Sequence, residues 1–301
     1  MKLFTVKKEE KEFVALLNKD EQTLIPIAAL GLPYKDMNQL IAEITQEELF
    51  LLKEAVLNGS FNNEETSKNL LLLSDVIVCA PIPKPNQDVI CLGINYMAHA
   101  AESARYKAEA FGGERPYPIY FSKRVNKAVG TGGVITSHSD IVDSLDYEAE
   151  LTVVIGKDAF QIKKEDAYDY VFGYTIINDV SARNLQTQHK QWYFGKSLDG
   201  FLPMGPCITT SDEISSPPNL KICSRVNGEL RQNSSTSLLI FDIAHVIHEL
   251  SQGMTLKAGT LIAMGTPAGV GMGFQPPKWL KSGDTVECEI EKIGILKNTV
   301  K

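Results

Sequence analysis

Large apolar residues alternate with other residues along Asp146-Tyr-Glu-Ala-Glu-Leu-Thr-Val-Val-Ile-Gly156, which closes on a β-branched run and a glycine. A period of two predicts a β-strand over 148–155. Similar short runs predict strands at 13–17, 23–27, 89–92, 119–121, 134–135, 171–178, 207–209, 220–226, 261–264 and 285–290. Helical spacing is rarer. Asp36 ahead of Leu40, Ile41 and Ile44 marks one capped helix, and Thr45 with Glu48 forms a capping box opening a second over 47–57, ended by Asn58-Gly59-Ser60. Ile243, Val246, Ile247 and Leu250 share one face of a helix predicted over 242–252, stopped by Gly253. A short helix is predicted over 164–169. Many strands and few helices place the chain in the α+β, β-rich class, since a doubly wound sheet needs a helix after nearly every strand. Three prolines at alternate positions in Ala80-Pro-Ile-Pro-Lys-Pro-Asn86 force an extended connector. That junction predicts a small α/β amino-terminal domain over 1–80 and a larger domain over 81–301.

Composition narrows the classes. The 301 residues carry 30 Lys and Arg against 37 Asp and Glu, a net charge of −7, with no basic run or basic amphipathic helix. Nucleic acid and membrane surfaces are therefore not expected partners. No apolar stretch approaches the roughly 20 residues that cross a bilayer. The first residues turn charged too soon for a secretory signal, so the expected location is cytoplasmic. Cys79, Cys91, Cys207, Cys223 and Cys288 are scattered and form no Cys-x-x-Cys pair. They read as small buried hydrophobes in a reducing compartment.

The strand over 148–155 also carries candidate chemistry. Residues two apart on a strand share a face, so Tyr147, Ala149, Leu151 and Val153 line one side, and Glu148 and Glu150 stand together on the other. Adjacent carboxylates repel unless a proton, a basic side chain or a divalent cation lies between them. The alternative is a polar face with both glutamates in water. Asp179 ends another apolar run, Tyr174-Thr-Ile-Ile-Asn-Asp179, where it either turns the chain or supplies a third carboxylate. An all-oxygen set suits Mg²⁺ or Mn²⁺, or Ca²⁺, better than Zn²⁺.

His99 and Glu102 fall three apart in Gly93-Ile-Asn-Tyr-Met-Ala-His-Ala-Ala-Glu102, which on a helix puts a carboxylate beside an imidazole. The following 105–118 segment, with Gly112-Gly113, has the composition of a mobile lid. Lys196 sits in Gly195-Lys-Ser-Leu-Asp-Gly200, which lacks the spacing of a nucleotide loop, yet a lysine there can bind an anionic substrate. Gly265, Gly269 and Gly271 imitate a dinucleotide fingerprint, but Pro267 and the later prolines exclude the helix that such a site requires.

In order along the chain, these segments resemble the fumarylacetoacetate hydrolase family over residues 80 to 298. The matching runs are Gly93 to Glu102, the Glu148-x-Glu150 strand, Asn178 to Arg183, Gly-Lys-Ser at 195–197, Met-Gly-Pro at 204–206, Val-Asn-Gly-Glu at 226–229 and Gly-Thr-Pro-x-Gly-Val-Gly at 265–271. The resemblance implies a β-roll catalytic domain, a homodimer, and Mg²⁺ or Mn²⁺ held by Glu148, Glu150 and Asp179. It also implies a His99–Glu102 acid–base dyad, with Lys196, Thr266, Arg183 and Gln186 as substrate contacts. Two departures touch the pocket wall: the lysine motif after Phe121 reads Ser-Lys123-Arg-Val-Asn, and the glycine-rich run begins Ala263-Met264.

The amino-terminal extension and the runs at Gly195, Arg225 and Gly253 look like a bacterial subgroup that decarboxylates oxaloacetate. The expected substrate is thus a small 2-oxo acid, with decarboxylation favoured over acylpyruvate hydrolysis or tautomerisation. A metabolite-binding scaffold is the non-enzymatic alternative.

Overall fold

The computed structural model describes residues 1–58, 69–105 and 116–301. The first of these hold β1 (Lys2–Lys8), β2 (Lys11–Leu17), β3 (Thr23–Pro26), α1 (Met37–Glu43) and α2 (Gln46–Asn58). The caps form as their residues dictate. Asp36 accepts from Gln39 N, while Thr45 and Glu48 exchange reciprocal bonds at 2.9 and 3.2 Å. After them come β4 (Leu71–Leu72), β5 (Ile77–Val78), β6 (Val89–Gly93), α3 (Met97–Ala104), β7 (Ile119–Lys123), β8 (Val134–Ile135), β9 (Leu145–Asp146), β10 (Ala149–Ile155) and β11 (Val171–Asn178). The chain ends with β12 (Ser181–Ala182), α4 (Arg183–Gln188), α5 (Tyr193–Lys196), β13 (Met204–Thr210), β14 (Lys221–Val226), β15 (Glu229–Ser235), α6 (Ile243–Ser251), β16 (Leu261–Ala263), β17 (Thr285–Ile290) and β18 (Gly294–Val300).

One sheet runs β4-β3-β2-β1-β13-β11-β10-β16-β6-β7, with β5 also on β1. Its pairs are antiparallel except β16 with β6. A second sheet, β15-β14-β17-β18-β8, covers part of one face. The fold is α+β and strand-rich. Tyr147, Ala149, Leu151 and Val153 join the core beneath the second sheet, and Val154 joins the core beneath α1 and α2, as the period of two requires. Ile155 falls on the first side by the same alternation, although the pairing with β11 shifts register between Val154 and Ile155. The wet-face alternative fails: Glu148, Glu150 and Thr152 are all buried.

Several elements differ from the sequence pattern. The 164–169 helix is a 3-10 helix over Lys164–Tyr170, and it runs straight into β11. Ala167 is its one fully buried residue, and Tyr168 and Tyr170 pack only partly against the core, so the segment has no broad apolar face to bury. β1 was not expected, because lysines flank its apolar residues, yet it pairs with β2, β13 and β5. Through it, the strands before the proline junction share a sheet with those after it. β15 reads Glu-Leu-Arg-Gln-Asn-Ser-Ser and carries little strand signal, but β14 imposes the pairing.

Candidate metal and acid–base site

β10 and β11 are antiparallel, with Ala149 opposite Asn178. That register brings Asp179, the residue just past β11, beside the strand that carries Glu150. Asn178 Oδ1 accepts from Glu148 N at 2.9 Å, and Asp179 N donates to Glu148 O at 2.8 Å. Glu148, Glu150 and Asp179 each present a carboxylate oxygen within 4.8 Å of the other two, and all three residues are buried.

Three buried cations hold this cluster. Lys196 Nζ donates to Glu148 Oε2 at 2.7 Å and Asp179 Oδ2 at 2.6 Å. Lys123 Nζ donates to Asp179 Oδ1 at 2.6 Å and to Val180 O at 2.8 Å. Arg183 bonds Asp146, Glu148 and Gln186 through its three nitrogens, at 2.9, 2.6 and 3.0 Å. With Asp146 included, four carboxylates face three cations, so full ionisation leaves one negative charge in excess. Glu150 carries it: it accepts Gly265 N at 2.9 Å and makes no ion pair among the described residues. Burial, Asp179 and Glu148 push the Glu150 carboxyl well above its ordinary range. Burial acts the same way on Glu148, but Lys196 and Arg183 outweigh it and hold that carboxyl below the usual range. Without an ion, a proton on Glu150 balances the cluster. An all-oxygen, buried donor set with one uncompensated carboxylate fits a hard divalent cation.

His99 and Glu102 lie on α3, where spacing of three puts them on one face, with His99 Nδ1 3.1 Å from Glu102 Oε2. Glu102 also accepts from Gly269 N at 3.1 and 3.3 Å. The helix is tethered at its start: Asn95 bonds Phe241 N, Phe241 O and Met264 O. Of the expected lid at 105–118, residues 106–115 lie outside the described residues.

His99, Glu148, Glu150, Arg183, Gln186, Lys196 and Thr266 line one cavity, roofed by Trp192 and Met272. Its free space is about 20 Å³, room for an ion or a water but not for a four-carbon acid. Entry of such an acid requires displacement of a wall residue. A larger cleft of about 990 Å³ beside residues 126–134 has none of these side chains in its lining.

Two expected substrate contacts are already committed. Thr266 Oγ1 donates to Ala149 O at 2.9 Å and accepts from Gln232 Nε2 at 2.7 Å. Arg183 is spent on Asp146, Glu148 and Gln186, an arrangement that orients the Gln186 amide at the cavity wall. Three organising residues escaped the sequence pattern. Buried Asp146 accepts from Tyr147 N, Gly271 N, Met272 N and Arg183. Gln232 ties Ala149 N, Ser224, Thr266 and Pro267 together from β15. Lys123, noticed as a departure, anchors Asp179. Asp146 opens the strand stretch and was visible there; nothing local marks Gln232.

A family profile described as fumarylacetoacetate (FAA) hydrolase C-terminal matches residues 88–301. The chain belongs to this family. It is 50% identical to the oxaloacetate tautomerase YisK of Bacillus subtilis over 238 residues, 79% of this chain and 77% of that protein. Among solved family structures, the fumarylacetoacetate hydrolase of Exiguobacterium antarcticum superposes with a TM-score of 0.82 at 36% identity, covering 100% of this chain and 99% of that one. The maleylpyruvate hydrolase of Sphingobium sp. SYK-6, solved with manganese(II) and pyruvate, gives 0.75 at 29% identity, covering 100% and 98%.

Proposed function

We propose that this chain is a divalent-metal-dependent enzyme that interconverts the keto and enol forms of oxaloacetate or a close 2-oxo acid. The observation that carries the reading is the shared cavity: His99, Glu148 and Glu150 line the same small space, with Asp179 within 4.8 Å of both glutamates and Glu102 bonded to His99 behind the wall. Similarity to an oxaloacetate tautomerase over 79% of the chain supports the substrate class, and a relative solved with manganese and pyruvate supports the cofactor class.

Glu148, Glu150 and Asp179 would hold Mg²⁺ or Mn²⁺, which when bound stabilises the negative charge that develops on a 2-oxo oxygen. With a proton on Nδ1 donated to Glu102, His99 presents an unprotonated Nε2 to the cavity, the tautomer a general base needs. His99 takes the C3 proton of the keto acid and returns it to the 2-oxo oxygen, so atoms balance without a co-reactant. Glu102 keeps the ring oriented and stabilises it while protonated. Lys196 and the Gln186 amide supply donors to the acid's carboxylate.

Decarboxylation, favoured by the motif runs at Gly195, Arg225 and Gly253, instead breaks the C3–C4 bond, so carbon dioxide leaves and the three-carbon enolate of pyruvate takes a proton at C3. Oxaloacetate added with Mn²⁺, and again after chelation, distinguishes them. Enol absorbance reports tautomerisation, and pyruvate release reports decarboxylation. Tautomerisation that stops on chelation, with little pyruvate, is expected. Pyruvate release at the rate of enol loss moves the assignment to the lyase, and rates indifferent to chelation overturn the metal-dependent reading.

A further inference from the structure

The glycine-rich run 265–273 touches three carboxylates from three different elements. Gly265 N donates to Glu150, Gly271 N and Met272 N donate to Asp146, and Gly269 N donates to Glu102. Its backbone therefore spans the metal strand and the helix that carries the acid–base pair. Gly273 completes the contact: a Cβ there would overlap Glu102 Oε1, so the carboxylate occupies the space that a side chain would fill. Gly273 does not require a left-handed backbone, so the missing Cβ matters for room and not for conformation. Gly269 sits at φ +106°, the conformation that aims its N–H at Glu102.

We propose that Gly269 and Gly273 form a seat for the Glu102 carboxylate, and that this seat sets the position of His99 relative to Glu148, Glu150 and Asp179. Both glycines are positioning residues, since neither touches substrate. The physical logic is one of spacing. α3 is fixed at its base by Asn95, but its flank is held through Glu102, whose two oxygens are shared between His99 Nδ1 and Gly269 N. A displacement of about 1 Å at a reacting group costs on the order of 100-fold in rate. The seat is thus where the glycine run acts on chemistry, a role distinct from the cofactor loop its spacing imitates.

The inference rests on His99 acting as the acid–base group, and the test separates the two ideas. In Gly273→Ala the new methyl meets the end of a flexible side chain, so the fold is kept and Glu102 is pushed off its seat. The expected result is a fall in kcat of about 100-fold, with unchanged Mn²⁺ affinity and faster amide exchange over 97–104. Glu102→Asp is shorter by one methylene, so in its background Gly273→Ala costs less than it does alone, a non-additive cycle. Glu102→Ala frees Gly269 N–H, and its exchange quickens whether or not the enzyme acts on oxaloacetate. Unaltered exchange over 97–104 in Gly273→Ala, additive losses in the cycle, or lost Mn²⁺ affinity overturns the seat. Faster exchange with wild-type kcat also overturns it as a determinant of catalysis.

Discussion

Lys196 places its ammonium 2.6 Å from Asp179 Oδ2 and 2.7 Å from Glu148 Oε2, bridging two of the three clustered carboxylates. The lysine expected to greet substrate also serves as an internal counter-ion. Both roles suit a buried cation at a cavity wall, because its third proton remains for an anion.

Lys196→Met is expected to destabilise the metal-free protein by about 3–5 kcal/mol, since it leaves two buried carboxylates short of a cation. Mn²⁺ should restore more stability to the variant than to the parent. Chemical denaturation with and without Mn²⁺ measures this, and equal gains in both proteins would contradict it.

Glu150→Gln should move two quantities in opposite directions. Removing the uncompensated carboxylate relieves repulsion from Glu148 and Asp179, so the metal-free protein holds or gains stability. Exchanging one of three anionic oxygen donors for a neutral amide weakens Mn²⁺ binding by at least about 10-fold, by analogy with the cost of disturbing ligand shells. Melting temperature and a Mn²⁺ titration by electron paramagnetic resonance report the pair.

The pH dependence follows from the same two glutamates. Glu148 is held below its ordinary value, so its contribution is present above the unfolded value of about 4.3 and lost as pH falls through its folded pKa. Glu150 is pushed up, so its contribution is present below about 4.3 and lost as pH rises through its folded pKa. A bound cation takes the place of the Glu150 proton. The melting-temperature gap between Mn²⁺-loaded and metal-free protein should therefore widen as pH rises, and a gap independent of pH would refute the linkage.

His99→Ala should lower turnover by about 10²–10⁴, the usual worth of general acid–base catalysis, and leave Mn²⁺ affinity unchanged. Steady-state kinetics beside a Mn²⁺ titration makes the separation. Unchanged turnover would remove His99 from the reaction.

What local pattern determined is the set of groups that share a face. A period of two put Glu148 and Glu150 together, spacing of three paired His99 with Glu102, and β11 ended where the apolar run met Asn178-Asp179. These follow from strand and helix geometry, which each residue feels through its near neighbours. Which face meets which partner was decided only in three dimensions. The antiparallel register of β10 and β11 delivered Asp179 to the glutamates, and the burial of that whole polar face brought in Lys123, Arg183 and Lys196 to offset its charge. Those cations lie up to 56 residues from the carboxylates they contact, and Gln232 reaches Ala149 across 83. β1 and β15 likewise owe their strands to neighbours, because lysine and serine carry little pleated preference alone. Periodicity specifies direction along one element, whereas ion pairing in a dry interior depends on whatever the fold packs against it.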